Sequence, residues 1–188
     1  MTFEIEAKYA VRSHGPIRSQ LQKLEAERIG AVLETNHIFD RPNRSLFATD
    51  CGLRVRAIHV LDGAEQPATL TFKGARTDAA LKTRQEIETP IGDAVAACRL
   101  LRALGFVETV TFEKRRESWR FGASRVELDE LPHLGLFVEI EAAEEATVHQ
   151  ARDTLGLGDS DFIRESYIAL LIGHCQQHSL PAQRITFG

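Results

Sequence analysis

The sequence predicts an α+β fold in which a mostly antiparallel sheet closes into a barrel and the helices pack on its outside. Three observations predict it. Strand-like runs follow one another without the regular strand–helix alternation of a doubly wound fold. Within those runs, charge occupies every second position. A few amphipathic helical stripes separate the runs.

Taken in order, residues 3–9 alternate strictly, with Phe3, Ile5, Ala7 and Tyr9 on one side and Glu4, Glu6 and Lys8 on the other. That is the period of a strand. Pro16 stands at a first helical position, and Ile17, Leu21 and Leu24 recur at helical spacing with Gly30 as the stop. Strands are expected over 53–58, 69–73 and 84–89, with turn-prone Asp62-Gly63 and Lys73-Gly74 between them. Asp93 reads as the N-cap of a helix whose stripe of Ala94, Ala97, Cys98, Leu101 and Leu104 stops at Gly105. Further strands follow near 110–121, 124–129 and 137–142, then helical patterns near 147–155 and 161–175. No repeat, low-complexity tract or long linker interrupts the chain, which predicts one domain over residues 1–176 and a tail of little signal over 177–188.

Composition narrows the function. The 188 residues are 43% hydrophobic and 27% charged, enough for one sizeable core. The 23 basic residues nearly cancel the 27 acidic ones, so no global field exists to hold a nucleic acid or an anionic membrane. Any anion site must be local. Cys51, Cys98 and Cys175 are odd in number and unpaired in spacing, which reads as reduced structural thiols. The start Met1-Thr2-Phe3-Glu4-Ile5-Glu6 has no leader-like pattern, and no stretch reaches membrane-spanning length, so a cytoplasmic protein is expected. The seven histidines, His37, His59 and His133 among them, show no metal-ligand spacing and are given no role.

The placement of charge carries the argument. Glu4, Glu6 and Lys8; Arg54 and Arg56; Arg84, Glu86 and Glu88; Arg125, Glu127 and Asp129; and Glu139 and Glu141 alternate with apolar residues such as Leu53, Val55, Ile87, Val126, Leu128, Val138 and Ile140. A half-exposed sheet would place such a face in water. Carboxylates two apart on one strand repel, however, and their repetition on several strands implies a cation between them. If the apolar face turns outward under the helices, the ionic faces line a lumen in which acids, bases and bound ions compensate one another. Glu4, Glu6, Glu86, Glu88, Glu127, Asp129, Glu139 and Glu141 then form a pool of hard oxygen donors for Mg2+ or Mn2+. Lys8, Arg54, Arg56, Lys73, Arg84, Lys114 and Arg116 suit a polyanion such as a triphosphate. Glu113, Arg115 and Glu117 read as solvated outer-face charges, although both faces of 111–121 carry charge and its register stays open.

Glu4-Ile5-Glu6-Ala7-Lys8 resembles the ExExK motif of the CYTH superfamily, the triphosphate tunnel metalloenzymes. Further segments similar to that family follow in order: Phe39-Asp40-Arg41-Pro42, Leu53-Arg54-Val55-Arg56, Thr71-Phe72-Lys73-Gly74, Arg84-Gln85-Glu86-Ile87-Glu88, Glu113-Lys114-Arg115-Arg116, Glu127-Leu128-Asp129 and Phe137-Val138-Glu139-Ile140-Glu141. The resemblance covers nearly the whole chain and is greatest to the CyaB-type branch of class IV adenylate cyclases and thiamine triphosphatase-like proteins. It implies a closed, eight-stranded antiparallel tunnel with outer helices. It further implies that Glu4, Glu6, Glu139, Glu141 and Asp129 hold the metal. Arg54, Arg56, Lys73, Arg84, Lys114 and Arg116 would hold phosphates, with Lys8 contacting phosphate or positioning the nucleophile.

The function expected is metal-dependent hydrolysis of the terminal phosphoanhydride of inorganic triphosphate, thiamine triphosphate or a nucleoside triphosphate, with Lys8, Arg54 and Arg56 as catalytic residues. The alternatives are an adenylate cyclase forming cyclic AMP and pyrophosphate from ATP, and a non-catalytic polyphosphate binder. Outer apolar strand positions left uncovered by the helices suit a homodimer interface.

Overall fold

The computed structural model describes residues 2–76, 82–158, 160 and 162–187, and for residues 2–4, 82 and 83 it describes the backbone alone. It is an α+β structure. The elements run β1 (Thr2–Val11), α1 (Gly15–Lys23), β2 (Glu27–Asp40), α2 (Ser45–Ala48), β3 (Gly52–Gly63), β4 (Ala68–Arg76), β5 (Lys82–Ile91), α3 (Ala94–Ala103), β6 (Val107–Phe121), β7 (Ser124–Leu131), β8 (Gly135–Ala142), α4 (Glu145–Thr154), α5 (Tyr167–Gln177) and β9 (Arg184–Ile185).

Eight strands form one antiparallel sheet in the order β2-β3-β4-β5-β1-β8-β7-β6, curled into a half-barrel. β2 pairs with β6 as well as β3, from Glu27 opposite Arg120 to Asp40 opposite Val107. The short β9 adds to β6 in parallel. β1 is central, flanked by β5 and β8, so the first strand of the chain meets strands formed much later.

The greasy faces of the strands turn outward, as the alternation predicts. Ala7 and Tyr9 of β1, Val126 and Leu128 of β7 and Val138 and Ile140 of β8 pack beneath Ile17 and Leu21 of α1 and Val148, Ala151 and Leu155 of α4. Leu53 and Val55 of β3 and Phe39 of β2 meet Cys98 and Leu101 of α3. The Asp93 carboxylate caps α3 by accepting from the Val95 and Ala96 amides at 2.8 and 3.0 Å. α5 is different. Its Tyr167 and Leu171 pack with Val110, Phe112 and Phe137, which share strand parity with the inward residues Lys114, Arg116 and Glu139. The inner face is thus apolar at one end, where α5 lies against it, and ionic beyond.

Several expectations needed correction, the first being a turn at Lys73-Gly74: both residues lie within β4, where Lys73 pairs with Glu86 of β5 and the strand runs on to Arg76. Gly30 does not stop a helix: α1 ends at Lys23, Glu25 adopts a left-handed φ of 54°, and Gly30 belongs to the long strand β2, which the helical reading of 16–30 obscured. Asp62-Gly63 lies at the end of β3, and Gly30 faces Gly63 across the ladder, beside an irregularity between Ala31 and Val32. A Cβ on Gly30 would stand 2.5 Å from the Asp62 carbonyl oxygen, and one on Gly63, whose φ is 104°, would stand 2.8 Å from that of Ile29. The last helix begins at Tyr167, six residues later than its apolar pattern suggests, because Ser166 caps it through its hydroxyl. Residues 184–185, within the expected tail, pair with β6.

Gly63→Ala is expected to destabilise the fold by about 1–3 kcal/mol, the cost of forcing a side chain into a left-handed, crowded position. Gly92→Ala, with open space around it, should stay within about 0.5 kcal/mol of the parent. Urea unfolding of the two variants checks the contrast.

Candidate active site

The inward positions of all eight strands line one cavity of about 930 Å³. Around it stand Glu6 and Lys8 of β1, Glu34 and Asn36 of β2, Arg54 and Arg56 of β3, Lys73 of β4 and Arg84, Glu86 and Glu88 of β5. Lys114, Arg116 and Ser118 of β6, Glu127 of β7 and Glu139 and Glu141 of β8 complete the ring. The open register of 111–121 is therefore resolved: Lys114 and Arg116 point inward. Glu117, on the outer side, is more than a solvated charge, since it accepts from Arg18 at 2.8 Å and from the Trp119 indole at 2.9 Å.

Carboxylates gather where β1, β8 and β7 adjoin, although β1 also carries Lys8 and β5 carries Glu86 and Glu88 beside Arg84. On the acidic side Glu6 faces Glu141 in the β1–β8 register, and Glu139 faces Glu127 across β7–β8. Carboxylate oxygens of Glu6, Glu139 and Glu141 lie within 4.8 Å of one another, and Glu6 and Glu139 are buried. Glu127 is engaged otherwise, by the Ser118 hydroxyl and the Arg125 guanidinium, each at 2.5 Å. Glu86 pairs with Lys73, while the half-exposed Glu88 accepts from Thr71 at 2.6 Å and Arg54 at 3.3 Å. The side chain of Glu4 lies outside the described residues; its backbone faces Arg84.

Arg54, Arg56, Lys73 and Arg84 gather on β3, β4 and β5, interleaved there with Glu86 and Glu88. Arg54 has been desolvated next to Arg56, and burial first, then that neighbouring charge, pulls its guanidinium down to about 10. Its Nε and that of Arg84 are buried and without a hydrogen-bond partner among the described residues, as is the Thr69 hydroxyl oxygen. Buried donors are almost always satisfied in a folded protein, so orphans on a cavity wall mark where an acceptor binds. An anion fits them.

Between the two sides runs a set of buried ion pairs. Arg116 donates to both oxygens of Asp129 at 2.7 and 2.6 Å and to Glu139 at 2.6 Å. Burial alone would lower its pKa, but Asp129 and Glu127 outweigh burial and hold it well above the ordinary value. Glu34 stands 3.2 Å from Arg56 and 3.4 Å from Lys114. Burial alone would raise this carboxyl, yet Arg56, Lys114 and Arg116 overcome that and hold it well below the usual range. Asn36 ties the group together by accepting from Arg56 Nε at 3.1 Å.

Asp129 is fully enclosed and forms no part of the cavity wall. Arg116, Lys114 at 3.3 Å and the Tyr167 hydroxyl at 2.9 Å occupy its oxygens. Lys8, 1% exposed, donates to the Glu165 carbonyl at 2.8 Å, lies 3.5 Å from Glu139 and sits 4.1 Å from the Tyr167 ring centre. Burial, followed by the charges of Asp129 and Glu139, raises the Tyr167 phenol well above its usual value and keeps it a donor.

The sequence-predicted residues Glu6, Lys8, Arg54, Arg56, Lys73, Arg84, Glu86, Glu88, Lys114, Arg116, Glu127, Glu139 and Glu141 thus meet in one cavity. Sequence reasoning missed Glu34, Asn36 and Tyr167. Val32, Glu34, Asn36 and Ile38 do alternate toward the inside, but their mixture of apolar and polar types hides the period.

The CYTH domain family matches residues 2–167. The chain belongs to the CYTH family. Among its relatives, "Putative adenylate cyclase MJ0240" of Methanocaldococcus jannaschii is 27% identical over 176 residues, covering 89% of this chain and 97% of that protein. The PH1819 protein of Pyrococcus horikoshii OT3 is 30% identical with a TM-score of 0.75, covering 91% and 99% of the two chains. HpAC1 from Hippeastrum, described as having a dominant triphosphatase activity, shares the fold at 16% identity and a TM-score of 0.68, covering 93% and 96%. CYTH proteins are tunnel metalloenzymes, which implies a divalent ion here. The three clustered carboxylates of Glu6, Glu139 and Glu141 fit it: hard oxygen donors converge from adjacent strands, as Mg2+ and Mn2+ prefer.

Glu34→Gln should cost about 3–5 kcal/mol at pH 7, because Arg56, Lys114 and Arg116 lose a buried partner. A carboxyl with a lowered native pKa adds stability that is fully present above its unfolded value and fades below it. Chemical denaturation between pH 7 and pH 3 should therefore show the parent weakening below about pH 4.5, the ordinary glutamate value, with a shallower acid limb in the variant.

Proposed function

We propose that this CYTH protein is a divalent-metal-dependent triphosphatase that cleaves the terminal phosphoanhydride of a triphosphate held along the cavity. The observation that carries the reading is a single cavity that holds both the Glu6–Glu139–Glu141 cluster and the Arg54 and Arg84 guanidinium donors, whose Nε atoms have no acceptor among the described residues. The continuous β2–β6 pairing supports closure of the curled sheet into a tunnel around that space.

Glu6, Glu139 and Glu141 would hold Mg2+ or Mn2+, which when bound neutralises charge on phosphate oxygens. Arg54, Arg56 and Arg84, with Lys73, bind and orient the rest of the polyanion, bidentate where a guanidinium meets two oxygens. Lys114 and Arg116 set the field on the opposite wall while Glu34 and Asp129 hold them in place. Lys8 donates to the Glu165 carbonyl and lies against Glu139 and the Tyr167 ring, contacts of a charged ammonium that support a phosphate-positioning role over that of a base. A water attacks the terminal phosphorus in line, the bond to the bridging oxygen breaks, and orthophosphate leaves the shortened chain. Positioning and electrostatics supply the catalysis, and no covalent enzyme intermediate is needed.

A second reading is adenylate cyclisation, in which the ribose 3′-hydroxyl of ATP replaces water and pyrophosphate departs. It is favoured by the name of the Methanocaldococcus relative and by Phe47, an aromatic ring 71% exposed at the cavity wall. With the Arg44 guanidinium 5.5 Å from its centre, that ring offers a platform for a flat head group.

Phosphorus NMR and chromatography after incubation with inorganic triphosphate, thiamine triphosphate and ATP in turn, each with Mg2+ or Mn2+, separate these readings. Orthophosphate marks the triphosphatase, cyclic AMP with pyrophosphate marks the cyclase, and no turnover of any of the three overturns both. Arg54→Ala should lower kcat by about 10²- to 10³-fold, as expected for loss of one preorganised donor. Glu141→Gln should leave the fold intact and raise the metal concentration needed for half-maximal activity. An unchanged metal titration would remove Glu141 from the ligand set.

A further inference from the structure

Away from the cavity, His174 has a histidine ring on either side of it, His133 and His178. His174 lies in the last turn of α5 and His178 is its C-cap, four residues on, so the two share a helix face. His133 stands in the turn between β7 and β8 with a left-handed φ of 65°. Its ring stacks on that of His174 with centres 5.7 Å apart and planes 9° from parallel, and the His174 and His178 rings are 4.3 Å apart. None of the three lines the cavity.

Three of the other histidines are engaged: His14 contacts the Phe137 carbonyl, His37 contacts Glu108, and His149 contacts Glu145. Among the described residues, no hydrogen bond or ion pair engages the rings of His133, His174 or His178. Their nitrogens are available. Partial desolvation, with His178 and His133 as neighbours, holds His174 below the ordinary imidazole value, which favours the neutral ligand form at pH 7.

We propose that His174 and His178 form a second metal site, specific for a borderline divalent ion of the zinc class and separate from the carboxylate site. The spacing supports it. With a metal–nitrogen bond of about 2.0–2.1 Å, two imidazoles bound tetrahedrally to one ion have ring centres about 5 Å apart, and at a right angle about 4.5 Å. The 4.3 Å between the His174 and His178 rings is close to the right-angle value. Rotation about χ2, a soft torsion for histidine, aims one nitrogen of each of these two rings at the shared point, with water completing the shell. Nitrogen donors select zinc, copper or nickel over magnesium, whereas the cluster of Glu6, Glu139 and Glu141 has the opposite preference. An ion held here clamps the last turn of α5, the helix whose first residue, Tyr167, holds Asp129.

The test is Zn2+ titration of the full chain at pH 7.5, followed by calorimetry and by thermal unfolding in the presence of saturating Mg2+. A Zn2+ concentration about a hundredfold above Kd should raise Tm by about 5–10 °C. The rise should persist in Glu141→Gln and His149→Ala, disappear in His174→Ala, and require at least tenfold more Zn2+ in His178→Ala. Lowering the pH to 5.5 should weaken binding as the imidazoles protonate. Binding only at millimolar Zn2+, equal affinity in His174→Ala, or loss of the effect in Glu141→Gln would overturn the proposal. The last result would assign the zinc to the carboxylates instead.

Discussion

Arg116 reaches from β6 into the enclosed wall and meets carboxylates from two other strands, Asp129 of β7 and Glu139 of β8, each at 2.6 Å at its nearest approach. Glu34 of β2 does the reverse, meeting bases from β3 and β6. None of these charges has a full partner on its own strand. Each is tolerable in a low-dielectric interior only when the neighbouring strands stand in register, because an uncompensated buried ion costs several kcal/mol. The ionic interior therefore specifies the register of the sheet, while the apolar outer face and its helices supply most of the favourable burial energy. Fold and site are a single electrostatic problem here, solved across strands.

That division explains why the inside of the molecule differs from the inside of an ordinary domain. Where water is displaced from a face rich in Glu, Arg and Lys, complete pairing would leave nothing for a ligand. The structure satisfies the centre of the wall thoroughly, around Arg116, Asp129 and Tyr167, and leaves both flanks unfinished. One flank has carboxylates crowded against each other. The other has guanidinium nitrogens without acceptors among the described residues. Those two unfinished flanks are complementary to a cation and a polyanion bound side by side.

Much of this was legible in the residues. Strict alternation in Leu53-Arg54-Val55-Arg56 and Phe137-Val138-Glu139-Ile140-Glu141 discloses both faces of β3 and β8, and the same pattern brings most of the site to one side. β2 escaped notice because Val32, Glu34, Asn36 and Ile38 point inward yet mix apolar with polar types, while Leu33 and His37 on the outer side do the same. Gly30 compounded the error, since a glycine after a helical stripe suggests a stop, whereas here it permits two backbones to approach. Asp129 shares the parity of a ligand, but whether such a residue faces the cavity or is sealed behind a helix depends on where α5 lands. Period alone cannot say that. Likewise, the meeting of His133 with His174 depends on tertiary packing.

The place of β1 between β5 and β8 has a bearing on how the chain comes to be folded. A growing polypeptide makes β1 first, but its neighbour β5 is finished only at Ile91 and its other neighbour β8 only at Ala142. Until then the strand carrying Glu6 and Lys8 has no ladder to join, and its greasy edge residues wait for partners far along the chain. Contacts of such long sequence separation make for slow assembly. A ribosome-bound fragment ending before β8 would hold the N-terminal half of the sheet with an open edge, the condition under which strands pair with the wrong chain. The charged residues of β1 then serve a second purpose, since an edge bearing Glu6 and Lys8 is a poor template for a stranger.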